Sequence, residues 1–531
     1  MRRLRVRGWL RSLAPLHVGG AGQGPVRLLA VATDGLGRPY VPGTGLAGAL
    51  RAIAGRAPGI DEQRLRKLWG WAEPKSQEGT VSRVVVRDAL LAEDTTVDAY
   101  GMPARPLDPA RLETRFSVGI DRFTGTAAHG FLHGRIIVPR GTFLRLELDV
   151  TTAPDTATDD ATHLRYLLRV LRDGQVRLGA ARTRGLGRVE LVTDHTEVHE
   201  DDLTTPAGLV AALGHATRPS PRWNLDEELR GGPGPGLLTV RVDWEPAAPL
   251  MVRAAVDGAT VDAVPYTSAT GPGEVALVLP GSALKGRLRA QAERIERTVR
   301  GVDVVSSSDV DHDSSGPGAE AARSAAFRAQ LDELGAVRVL FGTARHAGVI
   351  SVDDCFAATP MAEDDWQKVL LGVPGKDEDG APGPDPGGAP PAAEDPLPAL
   401  RAEYGLRRAD HVAIDRFTGG AAEGRLYSVL EPNATTWQPL ALTVDEARLD
   451  AQGDLAAPAR ALLLLVLRDL EAGRIPLGWG THRGMGDITV KAVTLTLPTG
   501  GTDVSLREYL SGPEAAELAT QWCRYLDGSP T

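Results

Sequence analysis

Cysteine is almost missing from this chain: its 531 residues include only Cys355 and Cys523. That count excludes a four-cysteine zinc site and a disulfide framework, and it suits a reducing compartment, so a cytoplasmic location is expected. Long apolar runs are missing too, with nothing approaching the roughly 18 residues of a membrane span, so no membrane partner is expected. The start, MRRLRVRGWLRSLAPL, alternates arginine with apolar residues as a half-buried strand does and lacks the apolar block of a signal peptide. Neither a nucleotide-binding P-loop nor a G-G-D-D cyclase-like motif occurs, which assigns any signalling-nucleotide synthesis to a partner. Net positive charge is also lacking: the formal charge is -10. Taken as a sum it argues against a nucleic-acid partner.

What is present is a repeat. IDRFTGTAAHGFLHG, from Ile120, returns as IDRFTGGAAEGRLYS, from Ile414. The flanks match in order. RPYVPGTGLAGALRAI is echoed by VALVLPGSALKGRLRAQ, KLWGWAEPKSQEGTVSRVVVRDALL by VLFGTARHAGVISVDDCF, and RLGAARTRGLGRVEL by PLGWGTHRGMGDITV. Four ordered blocks indicate internal duplication. Pro42 to Pro280 is 238 positions, Ile120 to Ile414 is 294 and Gly185 to Gly484 is 299, so the second copy holds extra residues. Those extras are acidic, Pro/Gly/Ser-rich inserts near 301–330 and 372–398, with the composition of disordered chain. The acid therefore sits in the inserts. The repeated blocks carry base: Arg51, Arg182, Arg184 and Arg188 in one copy, Lys285, Arg287, Arg289, His482 and Arg483 in the other.

Two modules are expected, over 1–214 and 237–531, joined by a linker over 215–236. Each reads as an opening strand (around Leu4 to Leu10, and Leu238 to Trp244), a loop, and a helix begun by Pro-Gly with Thr44 or Ser282 as N-cap. A strand, the IDRFTG segment, a strand such as TFLRLELDV, an apolar helix, a Gly-rich turn and a last strand follow. That order predicts an α+β fold with two tandem ferredoxin-like or RRM-like modules, helices on one face of each sheet.

The Gly-rich RTRGLGRV and THRGMGDI, the helix starts YVPGTGLAGALR and LPGSALKGRLR, the LWG and LFG turns and the two IDRFTG phrases resemble the RAMP backbone subunits of type III CRISPR effector complexes. A double subunit in one chain is similar to the fused subunits of type III-D-like systems, although the zinc-binding cysteines of many such relatives are missing here. The resemblance implies an RRM-like palm that binds the guide RNA (crRNA) backbone. It also implies a protruding β-hairpin, the thumb, that interrupts the guide:target duplex. Ile120, Asp121, Arg122, Phe123 and Thr124 would then belong to one thumb, and Ile414, Asp415, Arg416, Phe417 and Thr418 to the other. Gly185, Gly187, Gly484 and Gly486 would admit phosphates close to the backbone. Arg51, Arg182, Arg184, Lys285, Arg289, His482 and Arg483 would neutralise phosphates without reading sequence. Within the phrase, Asp121 with Arg122 and Asp415 with Arg416 read as local ion pairs, and Phe123 and Phe417 as base-stacking groups or as hairpin anchors.

The resemblance further implies cleavage of complementary target RNA by a loop aspartate between the opening strand and the helix start, with Mg2+ or Mn2+ required. By context Asp262 in VDAVPYTS matches it, with Asp257 as the rival and an ordinary turn aspartate as the plain alternative. The corresponding place in the first copy falls near Leu28, without an acid, and Asp34 comes later. Conversely, His17 in LHVGG matches a palm histidine near the RNA, where the second copy has Met251. Cap, large and further backbone subunits are the expected protein partners. Three other readings stay open: an inert guide-binding scaffold, a repeat-RNA processing endoribonuclease using a residue such as His482 as general acid or base, and a protein-interaction scaffold acting through the acidic inserts.

Overall fold

A computed structural model describes residues 2–23, 28–73, 78–153, 155–213, 222–232, 234–259, 261–304, 317–371, 397–433, 435–498 and 502–527. The fold is α+β, with two modules of one design around two separate apolar cores. In the first, alternation sets the strands. Leu4, Val6 and Leu10 of β1 (Arg2–Ser12) point inward while Arg3, Arg5 and Arg7 point outward to Asp201 and Asp149. Leu144, Leu146, Leu148 and Val150 of Phe143–Thr152 do the same.

The first palm is an eight-stranded sheet whose ferredoxin-like centre is β1, β3 (Val84–Val86), β6 (Phe143–Thr152) and β8 (Arg188–Leu191), while β2 (Leu28–Val31), β4 (Glu113–Ile120), β5 (Ala127–Ile137) and β7 (Arg184–Gly185) lie outside it. The antiparallel order of the centre is β8-β1-β6-β3. Helices α1 (Gly43–Ala54) and α2 (Ala157–Arg172) cover one face with Leu46, Leu50, Leu164 and Leu168. That is the ferredoxin-like arrangement, with the IDRFTG hairpin inserted between its second and third strands.

The second module repeats it. Strands β9 (Leu237–Pro246), β10 (Ile350–Asp353), β13 (Leu440–Asp445) and β14 (Ile488–Thr496) are ordered β10-β13-β9-β14. Helices α3 (Gly281–Arg300) and α4 (Ala456–Glu471) lie on the face that holds Leu284, Leu288, Leu462 and Leu467, and the second thumb is β11 (Leu406–Ile414) with β12 (Ala421–Pro432).

The helix starts differ from expectation. Neither Thr44 nor Ser282 caps its helix; Pro42 and Pro280 hold the N-cap position with no side-chain bond. Instead the first helical N–H is satisfied from another strand: Gly43 donates to Asp88 Oδ1 at 2.7 Å and Gly281 to Asp354 Oδ1 at 2.7 Å. A remote carboxylate thus replaces the local cap.

The modules are fused through this second cap. Strand β7, in the first module's Gly-rich turn, pairs in parallel with β10 of the second palm. A Cβ on Gly185 would stand 1.9 Å from Asp354 Oδ1, and one on Gly281 would stand 2.2 Å from the Val352 carbonyl and 2.8 Å from the Gly185 Cα. Only glycine fits at either place. Asp354 Oδ2 meets Arg115 of the first thumb at 2.7 Å, with the side chains 3% and 1% exposed. Burial holds the Asp354 carboxyl above its ordinary value even against Arg115. Around this pair Glu113 accepts from the Ser268 hydroxyl and the Ala269 amide, Arg122 pairs with Glu293 at 2.6 Å, Arg177 and Arg188 reach Asp353, and Arg56 reaches Asp445. Phe131 stacks on Phe327 with ring centroids 4.4 Å apart.

Phe327 lies on a helix, Pro317–Asp332, in the later part of the first insert. The acidic stretches 305–316 and 372–396, read from composition as disordered, lie outside the described residues. Part of the segment read as a linker packs as structure: Leu225 and Leu229 are buried in the first core.

Arg115→Ala leaves Asp354 as an uncompensated buried charge, so unfolding free energy should fall by about 3 to 5 kcal/mol. Asp354→Ala also removes the helix cap and should fall further by about 1 kcal/mol. Denaturant unfolding of both variants checks the size and the order.

Candidate nucleic-acid interface and carboxylate site

The thumbs are antiparallel hairpins whose tips are the IDRFTG phrases. What shapes each tip is the aspartate acting on its own turn. Asp121 Oδ1 accepts from the amides of Phe123 and Thr124, and Asp415 Oδ1 accepts from the amide of Phe417. This replaces the expected Asp-Arg pairs, because a short side chain two residues from an amide reaches it with little loss of freedom. Arg122 turns to Glu293 instead. Phe123 is 59% and Phe417 98% exposed, so neither anchors its hairpin. The flanking Ile120 and Ile414 are exposed as well, while Thr124 bonds Thr126 across the turn. Arg416 and Thr418 lie at the exposed second tip.

Several expected phosphate contacts are engaged inside the protein. Lys285 is 6% exposed and donates to the Ile350 carbonyl at 2.8 Å. Burial, aided by Arg184, Arg289, Arg448 and Arg177, lowers its pKa to about 7. Arg289 is consumed by Glu293 and the carbonyls of Gly342 and Leu331, and Arg51 by the Gly70 carbonyl. His17 is buried, its Nδ1 2.6 Å from the Ile136 carbonyl, and burial lowers its pKa; this is a structural histidine at the thumb base. Its counterpart Met251 is equally buried. Of the four turn glycines, Gly185 faces Asp354, while Gly187 and Gly486 have backbone carbonyls where a Cβ would be, those of Leu178 and Leu477 at 2.0 and 2.1 Å. Tight packing explains these three. Gly484, at φ +79° with open space beside it, remains accessible.

Other cations face solvent. Arg182, Arg184, His482 and Arg483 are exposed. Arg483 bonds the Tyr427 hydroxyl and lies over the rings of Tyr427 and Trp479 at 5.7 and 5.4 Å. Close to Arg184 the structure adds two residues that sequence reasoning missed, His133 and Arg135 on β5. Arg135 is 5% exposed, and the charged groups acting on it are Arg184 and Arg115, so burial and repulsion lower its pKa to about 10. His133 is lowered by burial and by Arg135 and Arg184. Two guanidiniums, Arg135 and Arg184, thus lie close together beside a histidine that burial and their charges hold toward its neutral form, a locally basic patch. Beyond the first thumb tip, a cleft of about 740 Å³ is lined by Arg122, Arg287, Arg294, Arg297, Arg474 and His482 among others.

Asp262 is an exposed loop residue at the base of the second thumb. Its Oδ2 accepts from the Ser428 amide at 2.7 Å and the Ser428 hydroxyl at 2.9 Å. These bonds, the amide first, hold its carboxyl below the ordinary value. Asp257 instead pairs with Arg253 at 2.8 Å. In the first module Asp34 pairs with Arg38 and organises its own turn. Among the described residues no three His, Cys, Asp or Glu side chains cluster as a metal site.

The chain is thus a tandem of two ferredoxin-like palms, each carrying a thumb hairpin. A model of the RAMP superfamily matches residues 9–190 and 272–488. These stretches are most of the chain, and the chain belongs to the RAMP superfamily, whose members are CRISPR-associated RNA-binding subunits. No curated protein matches it. Among the described residues no helix is long and apolar enough to cross a membrane.

Lys285 gives a pH test. Its folded pKa of about 7 lies below the ordinary 10.5, so between these values the unfolded chain holds a proton that the folded chain does not. Stability should therefore rise with pH in that window, by at most about 1.4 kcal/mol per unit, and stay flat below it. Urea unfolding at pH 7 and pH 9 should show wild type gaining on Lys285→Met.

Proposed function

We propose that this chain is a double backbone subunit of a type III CRISPR effector complex, binding crRNA along its palms and the guide:target duplex between its thumbs, with target-RNA cleavage in the second module. The observation that supports RNA binding most is the basic patch at the base of the first thumb, where Arg135 and Arg184 lie close together beside His133. Two guanidiniums held close together repel, and a guide phosphate between them would relieve that repulsion. Exposed Arg182, His482, Arg483 and Gly484 continue the same role on the two Gly-rich turns. Phe123 and Phe417, exposed at the tips, suit stacking on splayed bases. Cap, large and further backbone subunits would complete the complex.

Cleavage rests on Asp262. Although the Ser428 bonds that lower its pKa weaken it as a base, Asp262, exposed in its loop, is a carboxylate at neutral pH, placed to position a ribose 2′-hydroxyl and accept its proton. That oxygen bonds to the adjacent phosphorus, the P–O5′ bond breaks, and the leaving oxygen takes up a proton, leaving a 2′,3′-cyclic phosphate and a 5′-hydroxyl. A divalent cation would neutralise phosphate charge; Mg2+ keeps much of its water and is commonly held by one or two carboxylates with substrate phosphates, and one carboxylate is what Asp262 supplies. A second reading, an inert guide-binding scaffold, draws support from the solitary position of that carboxylate.

In complexes reconstituted around a defined guide, with end-labelled complementary RNA and Mg2+, Asp262→Ala should slow one cut by roughly 10²- to 10⁴-fold, the range for a positioned proton-transfer group, with target binding retained. An unchanged cutting pattern makes the chain an inert scaffold. Arg184→Ala should weaken guide binding and lower its salt slope by about 0.7 for each phosphate it no longer neutralises, whereas Lys285→Met should leave the slope unchanged.

A further inference from the structure

Asp262 is fastened to the thumb rather than to its own loop. Beyond the two bonds to Oδ2, the Asp262 amide donates to Ser428 Oγ at 3.0 Å. The Ser428 hydroxyl therefore donates to the carboxylate and accepts from the amide, as one proton and two lone pairs allow. On the next residue the backbone continues the seam: the Ala263 amide donates to the Ser428 carbonyl at 3.0 Å and the Leu430 amide to the Ala263 carbonyl at 2.9 Å. Ser428 is buried on β12, which runs to the thumb tip.

The first module supplies the comparison within the same chain. The 294-residue offset of the thumb phrases places Gly134 at Ser428 and Arg135 at Val429. In the second module Ala263 pairs in parallel with Val429; in the first, Leu28 and Leu29 pair in parallel with Gly134 and Arg135. Leu28 thus occupies the place of Asp262 and Gly134 the place of Ser428. A Cβ on Gly134 would stand 2.3 Å from Leu28 Cδ2, so the leucine fills the space that a serine side chain would need. Carboxylate and hydroxyl are present together in one module and replaced together in the other, which a simple loop fastener does not require, since the backbone seam survives in both.

Resting on the cleavage reading of Asp262, we propose that Ser428 is its positioning residue, fixing the carboxylate through Oδ2 so that Oδ1 faces the RNA and tying the carboxylate's place to the thumb that splays the duplex. The bond geometry makes the serine hydroxyl specific. Threonine can form the same bonds and alanine cannot.

The test is single-turnover cleavage by guide-loaded complexes carrying wild type, Asp262→Ala, Ser428→Ala, Ser428→Gly or Ser428→Thr, with target affinity measured on the same samples. Ser428→Ala and Ser428→Gly should slow the Asp262-dependent cut about 100-fold, the scale on which a misplacement of ~1 Å is felt, with affinity unchanged, and Ser428→Thr should restore it. Ser428→Gly copies a backbone that the first module already folds. If Asp262→Ala abolishes the cut but Ser428→Ala cuts at the wild-type rate, the positioning role is wrong and the cleavage reading stands. Loss of guide or target binding in the serine variants, or failure of threonine to restore the rate, reduces Ser428 to a structural fastener. If Asp262→Ala leaves the cut intact, both readings fall.

Discussion

The ion pair between Arg115 and Asp354 is the constraint on which the rest of the molecule depends. One carboxylate takes the first N–H of α3 on one oxygen and the first thumb's arginine on the other, while Gly185 closes over it. A buried pair is poor evidence of net stability, because desolvation opposes the Coulomb gain. Its effect here is geometric. Thumb, helix start and Gly-rich turn come from different parts of the chain, and none can move without stranding a buried charge. The basic patch lies next to this ion pair: Arg115 is paired with Asp354, and Arg135 and Arg184 stand close by.

Duplication produced two copies whose contacts now differ. The first thumb is clamped on the second palm through Arg115, Arg122 and Phe131. At the matching offset the second thumb has Ala409, Arg416 and Arg425, and much of that thumb is exposed. The first palm keeps the same helix cap through Asp88, which is exposed where Asp354 is buried. The Asp262 and Ser428 pair sits only in the second copy.

Much of the fold was legible because strand alternation and helix periodicity report burial directly. Leu144 to Val150 face the core as their spacing dictates, and the four repeated blocks mark the palms, helix starts, thumbs and turns. What could not be read was which charges would find partners. Lys285 and Arg289 lie on a helix beside a Gly-rich block and look available; Glu293, four residues past Arg289, was within reach of the sequence, but the carbonyls of Ile350, Gly342 and Leu331 that also engage them are tens of residues away. The caps from Asp88 and Asp354 were missed for the same reason: a Pro-Gly-[Thr/Ser] start suggests a local cap, and the actual donor-acceptor pair spans 45 residues in one module and 73 in the other. His133, inside the repeated phrase, and Arg135, just after it, escaped notice because their stretch reads as plain strand; only the structure brings them close to Arg184. The Leu28 to Asp262 correspondence, by contrast, was visible from context and is matched by strand pairing.

The central claim, that guide RNA runs across the junction where the first Gly-rich turn and thumb base meet the second palm, is tested most directly by crosslinking a photoreactive guide in the assembled complex and mapping the attached peptides by mass spectrometry. The account predicts crosslinks in the segments containing His133 and Arg135, Arg182 to Arg184, and His482 to Gly484, and none at Lys285 or Arg289. Crosslinks confined to other surfaces, with these segments unmodified, would contradict it.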